Sequence, residues 1–154
     1  ISNFILEKVP SLTDLTTAER EEIQAQARVF RAYAYFVGVN CFGGLPYTTS
    51  SSIASNRAIA RSPVATVTGQ IEADLVSALD VLPETSTEAP YLLTNGAVKA
   101  LLARFYLYQG DFVKAEDFAN QVITGNGAAA YALGDSYEEA MEEESSESIL
   151  EVFY

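Results

Sequence analysis

A chain of 154 residues with 49% hydrophobic side chains is long enough to bury a real core in one domain and too apolar for general disorder. Its 9 basic and 21 acidic residues give a net charge of −12, a balance that excludes phosphate-directed binding of nucleic acid and attraction to anionic lipid. With no histidine and only Cys41, it cannot run Ser-His-Asp or Cys-His catalysis, build a His-containing zinc site or close an internal disulfide.

The chain opens on Ile1 without a basic n-region or an apolar h-region, as expected of a mature or trimmed product. No run approaches the roughly 18 apolar residues that cross a bilayer. Thr16 to Glu19 forms a capping-box pattern that opens a helix from about Thr17 to Cys41. Ile23, Ala27, Phe30, Ala34 and Val37 fall at helical spacing and predict its buried face. Its last turns, "AYAYFVGVNCF", are apolar nearly all round and predict burial on several sides. Gly43-Gly44 and Pro46 end it. Tyr47 to Arg61 shows no period and reads as a loop, longer than most connections and so of functional interest.

Ser62-Pro63 predicts a hydroxyl N-cap with proline at the first helical position. Val64, Val67, Ile71, Leu75, Ala78, Leu79 and Leu82 then make one apolar stripe, with Thr66, Gln70, Glu72, Asp74 and Asp80 on the wet face. Pro83 stops this helix, and Glu84 to Pro90 reads as a second loop. Thr94 caps a helix over Asn95–Gln109, and Gly110-Asp111 turns the chain into a partner over Phe112–Thr124 closed by Gly125. So short a turn makes the two antiparallel. Beyond it, "AYAL" reads as a short extended piece and Asp135 to Glu138 as a second capping box. An acidic helix over Ser136–Glu143 and a β-prone "SILEVFY" follow, the last expected to need more chain as a neighbour.

In the hairpin, Leu102, Ala103, Tyr106, Gly110 and Ala115 sit at the spacing of a tetratricopeptide repeat, in which small residues let two helices close and Tyr106 fills the gap. The helices from Thr17 and Pro63 read as a degenerate second pair with a long insertion. The fold class is therefore mainly α, with tetratricopeptide-like antiparallel hairpins, long loops and a short C-terminal strand segment, in one domain over residues 1–154. Arg28 and Arg31, one turn apart, need acids if buried, with Asp14, Glu72 and Asp74 as partners. The run Glu138 to Glu147 lacks the ordered carboxylates and glycine of a calcium loop and reads as a solvated face. No carboxylate pair is marked for glycoside hydrolysis, so no catalytic residue, metal or cofactor is expected. Tyr47, Asn56 and Arg57 offer an aromatic face beside amide and guanidinium donors, suited to sugar recognition, although a plain surface connection explains that loop equally well.

"ARVFRAYAYFVGVNCFGGLPY" resembles a hallmark stretch of the SusD/RagB family of outer-membrane nutrient-binding lipoproteins, through Phe30, Arg31, Ala32, Tyr33, Tyr35, Phe36, Phe42, Gly43 and Pro46. "RSPVATVTGQIEADLVSALDVLPE", the tetratricopeptide hairpin and "SILEVFY" are similar to the segments that follow in that family, so the resemblance spans nearly the whole chain. It implies a non-catalytic, surface-exposed protein that captures oligosaccharide or another nutrient and works with a TonB-dependent transporter of the SusC kind. The membrane would be met only through a lipid anchor that this chain lacks, since Cys41 lies inside a helix. The resemblance also implies a chain much shorter than the whole protein. The other reading is a helical-repeat adaptor that binds protein and no sugar.

Overall fold

Side-chain caps open three of the four long helices in the computed structural model, which describes residues 1–84, 90–125 and 131–151. The helices are α1 (Ser2–Lys8), α2 (Thr17–Phe42), α3 (Ile53–Asn56), α4 (Val64–Leu79), α5 (Asn95–Gln109), α6 (Phe112–Thr124) and α7 (Tyr137–Ala140). They group into two compact units, Ile1–Val81 and the chain from Leu82 on. The architecture is mainly α and tetratricopeptide-like.

In the first unit, the Thr16 hydroxyl accepts the Glu19 amide while the Glu19 carboxylate accepts the Thr16 amide at 2.7 Å, so the expected capping box forms. That reciprocal pair satisfies two amides at the open end of α2. At the other end the Gly43 amide donates to the Val39 carbonyl. Against α2 packs α4, as expected of the degenerate pair. From α4 come Val67, Ile71, Leu75 and Ala78, each at most 1% exposed, so the predicted stripe holds at its centre. Val64 is instead exposed.

Which face of α2 meets that stripe differs from expectation. Ala25, Val29, Ala32, Phe36 and Val39 are buried, with Ala27, whereas Phe30 and Val37 are about half exposed and Ala34 is exposed. Steps of four, three, four and three residues keep the buried set on one line along the helix. A helix apolar all round leaves the choice of face to its neighbour. Asp74 is also displaced from the predicted wet face. It is buried because its charge is matched by Arg31 of α2, one of the expected partnerships. Ser62 does not cap α4: Pro63 takes the N-cap position, its carbonyl accepts the Thr66 and Val67 amides, and the Ser62 amide donates to Leu45. Ahead of all this, α1 and a 3-10 turn at Val9–Ser11 arise from a segment the sequence pattern leaves unassigned.

The second unit is built on the hairpin, whose boundaries agree with the sequence reading. Thr94 Oγ1 accepts the Ala97 amide and Asp111 Oδ1 accepts the Lys114 amide, capping α5 and α6 in turn. Gly110 joins them at φ +78°, a left-handed conformation that a side chain disfavours. Leu102, Phe105, Tyr106 and Ala115 are buried. Tyr106 stacks on Phe118 at 5.7 Å, and the Lys114 ammonium lies 4.6 Å from the centre of its ring. Tyr106 is thus core, as the repeat spacing predicts.

The C-terminal expectations fare less well. The helix α7 is a single turn capped by Ser136, which accepts the Glu139 amide, rather than a longer helix capped by Asp135. No strand forms among the described residues. Ala132 of the predicted extended piece exchanges hydrogen bonds with Ser146, and the Glu151 amide donates to Pro90. The rest of the predicted strand, residues 152–154, and most of the second loop, residues 85–89, lie outside the described residues.

Candidate functional site: a loop held on a polar network

The long loop of the first unit is fastened at both ends. Leu45 and Ser62 form an isolated antiparallel bridge, with the Ser62 amide 3.1 Å from the Leu45 carbonyl. Arg61 reinforces it by donating Nε to the Gly44 carbonyl and Nη2 to the Phe42 carbonyl, both at 2.7 Å. Gly44 is required by proximity: a Cβ there would lie 2.4 Å from the Ser62 carbonyl oxygen.

Beneath the loop lies a chain of charged and amide groups. Arg31 donates Nε and Nη2 to the two carboxylate oxygens of Asp74, both at 2.8 Å, the two-pronged geometry that carboxylate and guanidinium favour. That pairing raises the Arg31 pKa further, against the opposing effect of burial. Its remaining arm donates Nη1 to Asn3 Oδ1 at 2.9 Å. Asn3 passes the contact on, Nδ2 reaching the Thr48 carbonyl at 2.9 Å, Thr48 Oγ1 at 3.2 Å and the Ser50 carbonyl at 3.2 Å. One turn along α1, Glu7 accepts the Ser51 amide at 2.9 Å and the Ser51 hydroxyl. Those Ser51 donors, the hydroxyl foremost, hold the Glu7 carboxyl below the usual range. Tyr35 completes the bed, its Oη accepting the Thr48 amide at 2.9 Å.

The three residues expected to contact ligand take different places. Tyr47 turns inward, its ring 4.7 Å from that of Tyr35 and 5.9 Å from the Arg31 guanidinium. Its hydroxyl is buried with no hydrogen-bond partner among the described residues, and burial, followed by the nearby Asp74 charge, raises its pKa. Asn56, the last residue of α3, donates Nδ2 to the Ser50 carbonyl at 2.8 Å, the oxygen Asn3 also uses. Arg57 is exposed. Tyr47 and Asn56 thus both join the network, through Arg31 and through Ser50, while Arg57 stands on the rim with exposed Thr49, Ser51, Ser52 and Ser55. Sequence reasoning misses Asn3 and Glu7, whose spacing of four residues in a segment with no recognised helix is their one signal.

Elsewhere the acids serve the chain itself. Glu139, Glu147 and Glu151 accept the amides of Asp135, Gly134 and Glu144. Among the described residues no group of three or more His, Cys, Asp or Glu is placed to hold a metal.

Comparison with known proteins agrees with the resemblance. The SusD-like family model described as "Starch-binding associating with outer membrane" matches residues 1–107. SusD-like protein P2 of Formosa agariphila is 36% identical over 113 residues, which is 72% of this chain and 22% of that protein. Among solved structures, a laminarin-binding SusD-like protein is 31% identical with a TM-score of 0.87, over 97% of this chain and 34% of the other. A SusD superfamily protein from Bacteroides thetaiotaomicron is 30% identical with a TM-score of 0.87, over 99% of this chain and 36% of the other. This chain therefore spans about a third of the length of those structures and about a fifth of the curated relative. With a family model matching well over half of its residues, the chain belongs to the SusD-like family.

Proposed function

We propose that this chain is part of a glycan-capture protein of the outer membrane, surface-exposed and lipid-anchored, that hands its ligand to a TonB-dependent transporter and performs no chemistry on it. Family membership carries the reading: the family description names starch binding and association with the outer membrane, and a relative of matching fold is laminarin-binding. The loop at residues 46–61 supports it, because a fastened loop with a hydroxyl- and guanidinium-bearing rim meets sugar hydroxyls at low ordering cost. In this proposal Arg57 touches ligand directly, Tyr47 and Asn56 hold the loop's inner side, and residues 1–154 work as a single scaffold domain.

Calorimetric titration with laminarin, starch and xylogluco-oligosaccharides tests it, on this chain and on the longest protein that carries it. Saturable heat that falls in Arg57→Ala is the expected result. No heat from either protein across the panel overturns the glycan reading. The helical-repeat adaptor reading draws on one feature, an open and mainly apolar groove of about 590 Å³ on the hairpin, lined by Ala103, Leu107, Tyr108, Phe112, Ala115 and Ala119 together with the charged Arg104 and Glu116. Saturable peptide binding with no glycan response would favour it.

A further inference from the structure

We infer that α1 is a clamp that sets the shape of the loop, with Asn3 and Glu7 as positioning residues for ligand capture; the second half of that inference rests on the proposed glycan binding. Asn3 and Glu7 stand four residues apart, which places them on one face of α1. Their side chains together hold the backbone or hydroxyls of Thr48, Ser50 and Ser51, three of the first residues of the loop. The loop's own hydrogen bonds are few and local: Ser52 caps the single turn α3, and Asn56 returns to Ser50. Within Thr48 to Ser51, only Ser50 is also held from inside the loop, by Asn56 and by the Ser52 amide; the other contacts come from α1 and from Tyr35. Asn3 has a further property that Glu7 lacks. Its carboxamide oxygen receives Arg31 while its nitrogen serves the loop, so it couples the Arg31–Asp74 pair to the loop through one side chain.

That division of labour gives a clean test. Asn3→Asp keeps an oxygen acceptor for Arg31 but removes the donor to Thr48 and Ser50 and sets a carboxylate against their carbonyls. Amide hydrogen exchange and laminarin titration are measured on wild type, Asn3→Asp and Glu7→Gln in the longest protein carrying this chain, with circular dichroism to confirm folding. Exchange at Ser51 and Asn56 is expected to rise about tenfold in each variant, while the Ala115 amide of α6 stays as in wild type. Laminarin affinity is expected to fall about tenfold, because the loop must then be ordered at binding. Unchanged exchange at Ser51 and Asn56 in both variants overturns the clamp. Faster exchange with undiminished affinity overturns its role in capture. Faster exchange in a protein whose wild type binds no glycan refutes the glycan reading and leaves the clamp standing.

Discussion

Asp74→Ala should be among the most damaging single substitutions in the first unit. The Asp74 and Arg31 side chains are 10% and 12% exposed, so water reaches either group poorly. Truncating Asp74 removes two charge-assisted hydrogen bonds of 2.8 Å and leaves the guanidinium with one described hydrogen bond, to Asn3 Oδ1, and the Tyr47 ring 5.9 Å away. Deleting one member of a buried pair costs about 3–5 kcal/mol, mostly because the other charge stays desolvated. With residual exposure and Asn3 still bound, we expect about 3 kcal/mol. The double variant Arg31→Met/Asp74→Leu should regain most of that, since a well-packed apolar pair replaces a buried ion pair at little net cost. Urea unfolding followed by circular dichroism reads the change, and hydrogen exchange at Ala32 and Leu75 assigns it to the first unit. A loss below about 0.5 kcal/mol, the scale of exposed ion pairs, would refute the reasoning and show that solvent screens the pair.

Tyr106→Ala should cost about 3–5 kcal/mol in the second unit by opening a cavity against Phe118, and a shift under about 0.5 kcal/mol in urea unfolding would place the ring outside the core. Gly44→Ala should break the Leu45–Ser62 bridge, because its Cβ would lie 2.4 Å from a backbone oxygen; the expected loss is about 2 kcal/mol, with faster exchange of the Ser62 amide, and wild-type exchange there would contradict it. For Glu7, the hydrogen bonds from Ser51 depress the folded-state pKa, so its contribution is fully present above the unfolded value of about 4.3 and is lost as pH falls through the folded value. Exchange at Ser51, corrected for its intrinsic pH dependence, should show constant protection from about pH 8 to 5 and a drop only below about pH 4; a drop near neutrality would point to another group.

Local chemistry was legible in detail, and long-range pairing only in outline. Thr94, Gly110, Asp111 and Gly125 mark α5 and α6 because a cap acts on amides within one turn of itself, so sequence neighbours carry the whole signal. Thr16 and Glu19 do the same for α2. By contrast, Phe30 and Val37 read as core because nothing in an all-round apolar helix says which side its partner takes; the stripe of α4 decides that. Asp74 read as solvated from the pattern of its own helix, and only as one of three acids open to Arg28 and Arg31, because its partner is 43 residues distant. The seven-residue α1 has no side-chain cap, and its Asn3 and Glu7 gain meaning only from a loop more than 40 residues on. Of the site, the loop was readable, whereas the inward turn of Tyr47 depends on Tyr35 and Arg31 lying beneath it.

The way the loop is fastened has a consequence for redesign. Thr48, Ser50 and Ser51 are pinned near its start, and Arg61 and Ser62 near its end. Between them, Ala58, Ile59 and Ala60 are exposed, tied back only by a long 3.5 Å bond from the Ile59 amide to the Asn56 carbonyl. Extra residues spliced there lengthen a closed segment whose anchor points stay put, and even doubling such a segment costs only about 0.6 kcal/mol in closure entropy. The stretch is thus an insertion port where a recognition peptide or a rebuilt sugar-contacting turn can be grafted while the helical chassis folds as before.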